Sequence, residues 1–234
     1  MIIAGLQKLT LTDFPGNVAC IIFLKGCNFR CPYCQNSELI DHKIDDNYIL
    51  KEEVFDFLKK RQGFLEGVVV TGGEPTVSKD LPELIKEIRD LGYKIKLDTN
   101  GTNPEMLKEL LDKKYIDYVA MDIKNVKDKY LETAGLSKKA NEKLLENIEK
   151  SIQILKQSNI DHEFRTTIIK KYHNIEDLEN INEMIGKDEK YYLQNFEDSE
   201  YVLDHKLQAF SEDELNEINK IIKKKFPKTS VRGM

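Results

Sequence analysis

Four cysteines lie between positions 20 and 34, and the rest of the 234-residue chain contains none. A disulfide framework spreads its cysteines along the chain, so this clustering indicates a ligand or redox site instead. Cys27, Cys31 and Cys34 are separated by three and two residues, which lets a single loop surround one metal centre. Cys20 lies inside an apolar run and is expected to be a small core residue.

Three thiolates are one ligand short of the usual protein metal sites. Structural zinc and ordinary ferredoxin clusters each take four protein ligands. No histidine stands in a Cys-x2-His arrangement with the loop. We therefore interpret Cys27, Cys31 and Cys34 as ligands of a four-iron cluster whose remaining iron is open to a small chelating molecule.

A second group of residues follows later apolar runs. Gly72 and Gly73 precede Glu74 and a proline; glycines let the backbone approach a ligand closely and the glutamate offers an acceptor, although the same residues also mark tight turns. Two carboxylates and an amine follow the next two runs, at Asp98, Asp122 and Lys124. Such residues are also ordinary turn and cap residues, so their meaning depends on where the runs bring them.

Six short apolar runs have the composition of strands buried on both faces, as in a parallel sheet. A helical pattern follows each, which indicates repeated βα units. Six units fall short of a full eight-unit barrel, so we predict an α/β fold, a partial (β/α)6 barrel with outer helices and its ligand site at the carboxyl ends of the strands. The predicted strands are Val18–Leu24, Val68–Thr71, Ile95–Asp98, Tyr118–Ile123, Glu163–Ile169 and Lys190–Phe196.

Amphipathic stripes predict the helices between these strands. Asn103 and Pro104 are suited to the N-cap and first helical position, and Ser211 begins a capping-box pattern. The predicted helices are Lys51–Arg61, Leu81–Leu91, Pro104–Asp112, Asn141–Gln157, Ile175–Ile185 and Glu212–Lys224.

Composition sets the broad class. The chain is 40% hydrophobic and 33% charged, which is typical of a globular domain. We expect one domain over residues 1–234, with an N-terminal extension at 1–17, six βα units at 18–200 and a C-terminal helix and tail at 201–234. A net charge of −5 disfavours general nucleic-acid binding. The longest apolar run has seven residues and no secretory signal is visible, so we expect a cytoplasmic protein without a membrane span.

The segment from Cys27 to Cys34, with Tyr33 just before the last cysteine, resembles the radical S-adenosylmethionine (radical SAM) superfamily. The resemblance implies a [4Fe-4S] cluster and S-adenosylmethionine as cofactors. It also implies that Gly72, Gly73 and Glu74 hold the methionyl amino group. The residues around the last cysteine, Tyr33, Gln35 and Asn36, are expected to belong to the same cofactor site.

Later segments resemble the pyruvate formate-lyase activating enzymes. The resemblance implies that Asp98, Thr99 and Asp122 position the methionyl carboxylate and hold a monovalent cation. It implies that Lys124 contacts S-adenosylmethionine and that Arg165 faces the same pocket. The family often places a histidine contact after the sixth strand, where this chain has Gln194 as a polar substitute.

Residues 9–16, the cysteine loop and Ser230–Gly233 are similar to anaerobic ribonucleoside-triphosphate reductase activating proteins, although Gln35 stands where that family often has histidine. The resemblance implies a 5′-deoxyadenosyl radical that abstracts hydrogen from a glycine of a large glycyl-radical enzyme. It also implies a flavodoxin- or ferredoxin-type electron donor. We expect no catalytic acid or base beyond the cluster and cofactor.

Two alternatives remain open. A small-molecule catalyst similar to the 7-carboxy-7-deazaguanine synthases would need a magnesium-binding Ser or Thr near the last cysteine, where Ser37 is the nearest candidate. A non-catalytic iron–sulfur or zinc protein would leave the glycine-rich turn and the polar strand ends unexplained. No cysteine lies between Cys34 and Gly72, which disfavours activators that carry an inserted ferredoxin-like domain.

Overall fold

The computed structural model describes residues 1–41, 48–137 and 142–232 and contains one eight-stranded sheet whose strands follow one another in chain order. The first strand pairs antiparallel with the second, and each later strand pairs parallel with the one before it. The strands are β1 (Ile3–Thr10), β2 (Ala19–Leu24), β3 (Gly67–Gly72), β4 (Lys94–Thr99), β5 (Tyr118–Asp122), β6 (Asp161–Ile168), β7 (Tyr191–Asn195) and β8 (Thr229–Arg232).

The helices connect the parallel strands. They are α1 (Lys51–Arg61), α2 (Leu81–Asp90), α3 (Pro104–Asp112), α4 (Lys127–Thr133), α5 (Glu142–Gln157), α6 (Ile175–Ile185) and α7 (Glu212–Lys225). Strands β2 to β7 and their helices confirm the predicted (β/α)6 arrangement. The side chain of Asn103 caps α3, and Ser211 and Glu214 form the capping box of α7. Asn141, the predicted first residue of α5, lies outside the described residues.

Two strands and one α-helix of the described residues were not predicted, namely β1, β8 and α4. Most residues of β1 and β8 are exposed or only partly buried, because these strands lie at the edges of the sheet. Neither strand therefore has the apolar composition that predicts a buried strand. Helix α4 has seven residues, of which only Tyr130 and Thr133 are buried, too few to give a helical stripe. Ile3–Thr10 of the predicted N-terminal extension are therefore part of the sheet, and the C-terminal tail adds its last strand. Gly233 lies outside the described residues.

Phe14 fills the inner face of the sheet at the end opposite the predicted site. Its ring packs with Ala19, Ile21, Val69 and Tyr118 in a small cluster separate from the main core. The contact is close: a Cβ atom added at Gly67 would lie 2.7 Å from the Phe14 ring. The N-terminal segment thus closes this end of the array, which leaves the carboxyl ends of the strands as the open end.

The main core lies between the sheet and the surrounding helices and includes Cys20. Cys20 has no exposed surface in β2, which confirms its expected place in the core. In the described part of the chain, no helix has the length and apolar character required to cross a membrane.

Candidate cofactor site at the carboxyl ends of the strands

The cysteine loop starts directly after β2 and is held in place by backbone hydrogen bonds. The Gly26 and Cys27 amides donate to the carbonyls of Leu39 and Ile40 at 2.6 and 2.9 Å, so the loop folds back on itself. The Glu74 amide donates to the Gly26 carbonyl at 2.7 Å and joins the loop to the turn after β3. The backbone at Gly26 and Cys27 is therefore hydrogen-bonded to two other segments, residues 39–40 and the turn after β3.

The second half of the loop contacts elements that are distant in sequence. The Arg30 amide donates to the Ala134 carbonyl at 3.0 Å, and the Asp204 amide donates to the Pro32 carbonyl at 2.9 Å. Gly135, just after α4, has φ +68°, and a Cβ there would lie 1.9 Å from the Arg30 carbonyl oxygen. The unpredicted helix α4 thus supports the loop that carries the cysteines.

The three thiols of the loop line one cavity. Burial raises the pKa of Cys27 to about 12 and of Cys31 to about 11, and it also raises that of Cys34. The Phe29 amide donates to the Cys27 Sγ at 3.3 Å. Thiol ligands must be deprotonated, and a bound metal centre would favour the thiolate form of all three cysteines.

The donor set fits a cluster better than a single metal ion. Within residues 1–41, 48–137 and 142–232, no three Cys, His, Asp or Glu side chains converge as ligands of one ion. A four-iron cluster does not need such convergence, because each thiolate bonds a different iron atom. The hydroxyls of Tyr33 and Tyr130 are buried near Cys31 and form no hydrogen bond of normal geometry with the described residues, which fits a partner supplied by a bound group.

The cavity brings together every residue predicted for the site. Its volume is about 390 Å³. The predicted residues that line it are Cys27, Cys31, Tyr33, Cys34, Gln35, Asn36, Gly72, Gly73, Glu74, Asp98, Thr99, Asp122, Lys124 and Arg165. Gln194 also lines it, at the position where the family often has histidine. Their convergence follows from the parallel sheet, because the carboxyl ends of neighbouring strands meet at one edge.

Other residues of the cavity were not predicted. Gln7 and Asp13 come from the N-terminal segment, and Thr167 comes from β6. Thr167 could have been found from the sequence, because it lies two residues after Arg165 and shares its face of the strand. Gln7 and Asp13 carry no such signal, because their position depends on the unpredicted pairing of β1 with β2.

The two glycines after β3 are needed for contact with the cysteine loop. Gly72 has φ +126°, and a Cβ there would lie 2.2 Å from the Leu24 carbonyl oxygen. A Cβ at Gly73 would lie 2.2 Å from the Gly26 carbonyl oxygen. The sequence suggested close approach to a ligand, whereas the contacts described here are with the protein's own backbone.

Glu74 is an internal acceptor. One carboxylate oxygen accepts from the Thr76 amide at 3.0 Å, the Thr76 hydroxyl at 2.5 Å and the Thr99 hydroxyl at 2.8 Å. The other accepts from the Asn100 amide at 2.6 Å. Burial raises the pKa of Glu74, and these hydrogen bonds oppose the rise. The carboxylate therefore joins the turns after β3 and β4, and its oxygens are already engaged.

Charged side chains from three strand ends form one network across the cavity. The Arg165 guanidinium donates to Asp122 at 3.0 Å and to Asp98 at 3.1 Å. The Lys124 ammonium donates to Asp122 at 3.1 Å. Lys96, which was not predicted, donates to Asp98 from inside β4. Two carboxylates thus face three cations.

The network keeps Asp122 and Lys124 ionised. Burial alone would raise the pKa of Asp122, but Arg165 and Lys124 outweigh burial and lower it to about 2. Burial lowers the pKa of Lys124, but Asp122 and its other neighbours reverse this and raise it well above the usual lysine value. An ionised, fixed set of charges is suited to orient the charged end of a zwitterionic ligand.

A βα array with three loop cysteines after its first parallel strand and a glycine turn after the next has the architecture of a radical SAM protein. The sequence pattern of the Radical SAM superfamily matches residues 21–185. The chain therefore belongs to this superfamily, and it is a radical SAM enzyme. Membership implies a [4Fe-4S] cluster and S-adenosylmethionine as its cofactors.

Three similar proteins cover different shares of the chain. A Methanocaldococcus jannaschii protein provisionally named as a glycyl-radical enzyme activating enzyme is 36% identical over 241 residues, covering 99% of this chain and 95% of its own. A 7-carboxy-7-deazaguanine synthase of Aquifex aeolicus is 33% identical over 81 residues, covering 35% of each. The crystal structure of QueE from Escherichia coli superposes with a TM-score of 0.58 at 18% identity, covering 100% of this chain and 94% of that one, and shows the shared fold.

We expect Arg165→Met to weaken S-adenosylmethionine binding while iron content stays unchanged. Arg165 joins both carboxylates of the network but donates no described hydrogen bond to the cysteine loop. Its loss should lower affinity by about tenfold to hundredfold, equivalent to about 1.4–2.8 kcal/mol. Equilibrium binding to the reconstituted protein measures the effect. Arg89→Met is the matched control, because Arg89 binds Asp117 at 2.6 and 3.2 Å away from the cavity. Equal affinity in the two variants would contradict this site.

Proposed function

We propose that this radical SAM enzyme activates a glycyl-radical enzyme by abstracting a hydrogen atom from a glycine of that partner. The observation that carries the proposal is the similarity to the Methanocaldococcus jannaschii protein, which extends over 99% of this chain. A relative that matches over only one segment would support a shared cofactor site alone. A match over the whole length would also include any segments that contact a partner, which supports a shared reaction.

The cavity residues have distinct roles in this proposal. Cys27, Cys31 and Cys34 would hold the cluster, and the network around Arg165 and Lys124 would orient the methionyl end of the cofactor. The bound cluster and S-adenosylmethionine supply one-electron chemistry that produces a carbon radical able to abstract hydrogen. The chain itself supplies binding, orientation and exclusion of water. A flavodoxin- or ferredoxin-type protein would deliver the electron in the cytoplasm.

The shape of the cavity suits a backbone glycine. Gln7 and Asp13 line one side of the cavity, and Thr167 and Gln194 come from strands at the far side of the sheet. No pairing joins β1 to β8 among the described strands, so the array is open between its two edges. A glycine loop has no side chain to obstruct its approach through such an opening.

The partner we propose is an anaerobic ribonucleoside-triphosphate reductase. The N-terminal segment that resembles activators of this enzyme, residues 9–16, lies beside the cavity through Asp13. It exposes Leu9 by 55% and Leu11 by 70%. Because Thr10 pairs with Ala19 at the start of β2, these leucines lie at the closed end of the array, and the support for this partner is the sequence resemblance.

A small-molecule reaction of the 7-carboxy-7-deazaguanine synthase type is the second candidate, favoured by the local match to the Aquifex aeolicus enzyme. The Ser37 hydroxyl, the nearest candidate for its magnesium ligand, donates to the Tyr201 carbonyl instead. The match also spans only 35% of either chain. A non-catalytic metal protein would leave the charged cavity without a use.

The experiment combines the reduced, reconstituted enzyme, S-adenosylmethionine and the candidate reductase, and follows them by electron paramagnetic resonance. We expect a glycyl-radical doublet on the reductase and 5′-deoxyadenosine formed in step with it. A reductase variant with alanine at the radical glycine is the control and should give no doublet. If candidate glycyl-radical proteins acquire no radical while a small molecule drives 5′-deoxyadenosine formation, the second candidate replaces the first.

A further inference from the structure

Lys96 is an unusual residue because its charge is buried next to the cofactor cavity, where it pairs with the lining residue Asp98. It lies in the middle of β4, and its side chain is only 2% exposed. A lysine is almost never buried unless its charge is paired. The ammonium of Lys96 donates to the carboxylate of Asp98, which is itself a member of the charged network. The buried positive charge of Lys96 is therefore paired with Asp98, a residue of the candidate cofactor site.

The charges of the network leave no need for a further cation. Asp98 and Asp122 contribute two negative charges, and Lys96, Lys124 and Arg165 contribute three positive ones. The sum over these five side chains is one positive charge before any ligand binds; the carboxylates of Asp13 and Glu74 also line the cavity but form no described ion pair with the network. A carboxylate ligand would neutralise this excess, whereas a bound metal ion would increase it.

Neighbouring acceptors are also occupied. The buried carboxylate of Glu163, two residues before Arg165 on the same face, accepts two hydrogen bonds from Arg232, both at 2.9 Å. The Thr99 hydroxyl oxygen accepts from the Gly101 amide at 3.1 Å and donates to Glu74 at 2.8 Å. Glu163 therefore adds no unpaired negative charge to the network, and the Thr99 hydroxyl is uncharged. The residues thus do not fit the monovalent cation that the family resemblance implied at Asp98, Thr99 and Asp122.

We propose that Lys96 is a built-in cation for Asp98, so that this protein binds S-adenosylmethionine without a monovalent metal ion. The Lys96 ammonium donates a hydrogen bond to one oxygen of the Asp98 carboxylate, and the Arg165 guanidinium donates to the other oxygen. Lys96 acts through Asp98 and is a positioning residue. This inference rests on the proposed S-adenosylmethionine site.

The test measures S-adenosylmethionine affinity of the reconstituted protein in potassium chloride and in choline chloride at equal ionic strength. The wild-type affinity should agree within twofold. Lys96→Ala should lose at least tenfold in choline chloride and recover in potassium chloride or with methylammonium, because a small cation can enter the vacated space beside Asp98. Lys96→Arg, which keeps the charge, should remain independent of the salt.

Lys94→Ala is the matched control, because Lys94 is on the same strand but is exposed and donates to Asn17 at 2.8 Å outside the cavity. A wild-type affinity that falls in choline chloride would overturn the proposal, whether or not the variants fold. So would a Lys96→Ala protein with wild-type affinity in choline chloride, or an equal loss in both salts, which would leave Lys96 a structural role alone.

A cluster-free measurement separates this inference from the proposed function. The thermal unfolding midpoint of the wild-type protein should be the same in both salts, and that of Lys96→Ala should be higher in potassium chloride. This result needs neither cluster nor S-adenosylmethionine. If the wild-type protein binds no S-adenosylmethionine in either salt, the proposed site fails, while the unfolding data still test the pairing of Lys96 with Asp98.

Discussion

Alanine at Cys27, Cys31 or Cys34 is expected to abolish cluster binding, and alanine at Cys20 is expected to leave it intact. Each of the three loop thiols lines the cavity, and a cluster held by three protein ligands has none to spare. Iron and sulfide per chain, together with the visible absorbance of the reconstituted protein, measure the result. With the cluster lost, hydrogen abstraction should fall to background.

Cys20→Ala is the matched control for these variants. Cys20 lies in β2 with no exposed surface, and burial raises the pKa of its thiol to about 12. Removing its sulfur should cost about 1 kcal/mol of the free energy of unfolding, because a small buried group is lost. A folded Cys20→Ala protein that cannot retain iron would show that the fourth cysteine is a ligand, contrary to this assignment.

Gly73→Ala is expected to reduce iron content although the residue is not a ligand. The added Cβ would lie 2.2 Å from the carbonyl oxygen of Gly26, which is backbone and cannot rotate away. The cysteine loop must shift, and the hydrogen bond from the Glu74 amide to Gly26 must lengthen with it. We expect a loss of about 3 kcal/mol in the free energy of unfolding, measured by denaturant titration of the cluster-free protein.

Gly92→Ala separates steric contact from backbone strain. Gly92 has φ +93°, but an added Cβ would have nothing within 4 Å, so only conformational strain is expected. That strain should cost about 1 kcal/mol and leave iron content unchanged. If Gly73→Ala behaves like Gly92→Ala in both measurements, the close contact between the β3 turn and the cysteine loop is not needed for the cluster.

The sequence by itself was sufficient for the repeating part of the fold. Strands β2, β3 and β5 are almost entirely buried, and β4, β6 and β7 still contain enough buried apolar residues to be recognised, so the predicted bounds of β2 to β7 agree within a few residues. Helices α1, α3 and α6 begin and end where their apolar stripes predict. These signals are local, because burial and helix capping act on neighbouring residues.

The members of the candidate site could also be predicted. The cysteine spacing, the glycine turn and the polar residues at the strand ends are short motifs, and a parallel sheet places its strand ends at one edge. All fourteen predicted residues line the same cavity for this reason. What each side chain contacts within the cavity could not be read from the motifs.

The tertiary structure decided the partners of these side chains. Glu74 is used to join two turns, Gly72 and Gly73 admit the backbone of the cysteine loop, and Lys96 neutralises Asp98 from a position that reads as part of an apolar strand. The contacts of Glu74, Gly72 and Gly73 join segments from different strands or turns. The contact between Lys96 and Asp98 lies within β4 and depends on which face of the sheet is enclosed. Local sequence patterns report burial and turns, but hydrogen-bond partners and charge balance depend on distances that exist only once the sheet has formed.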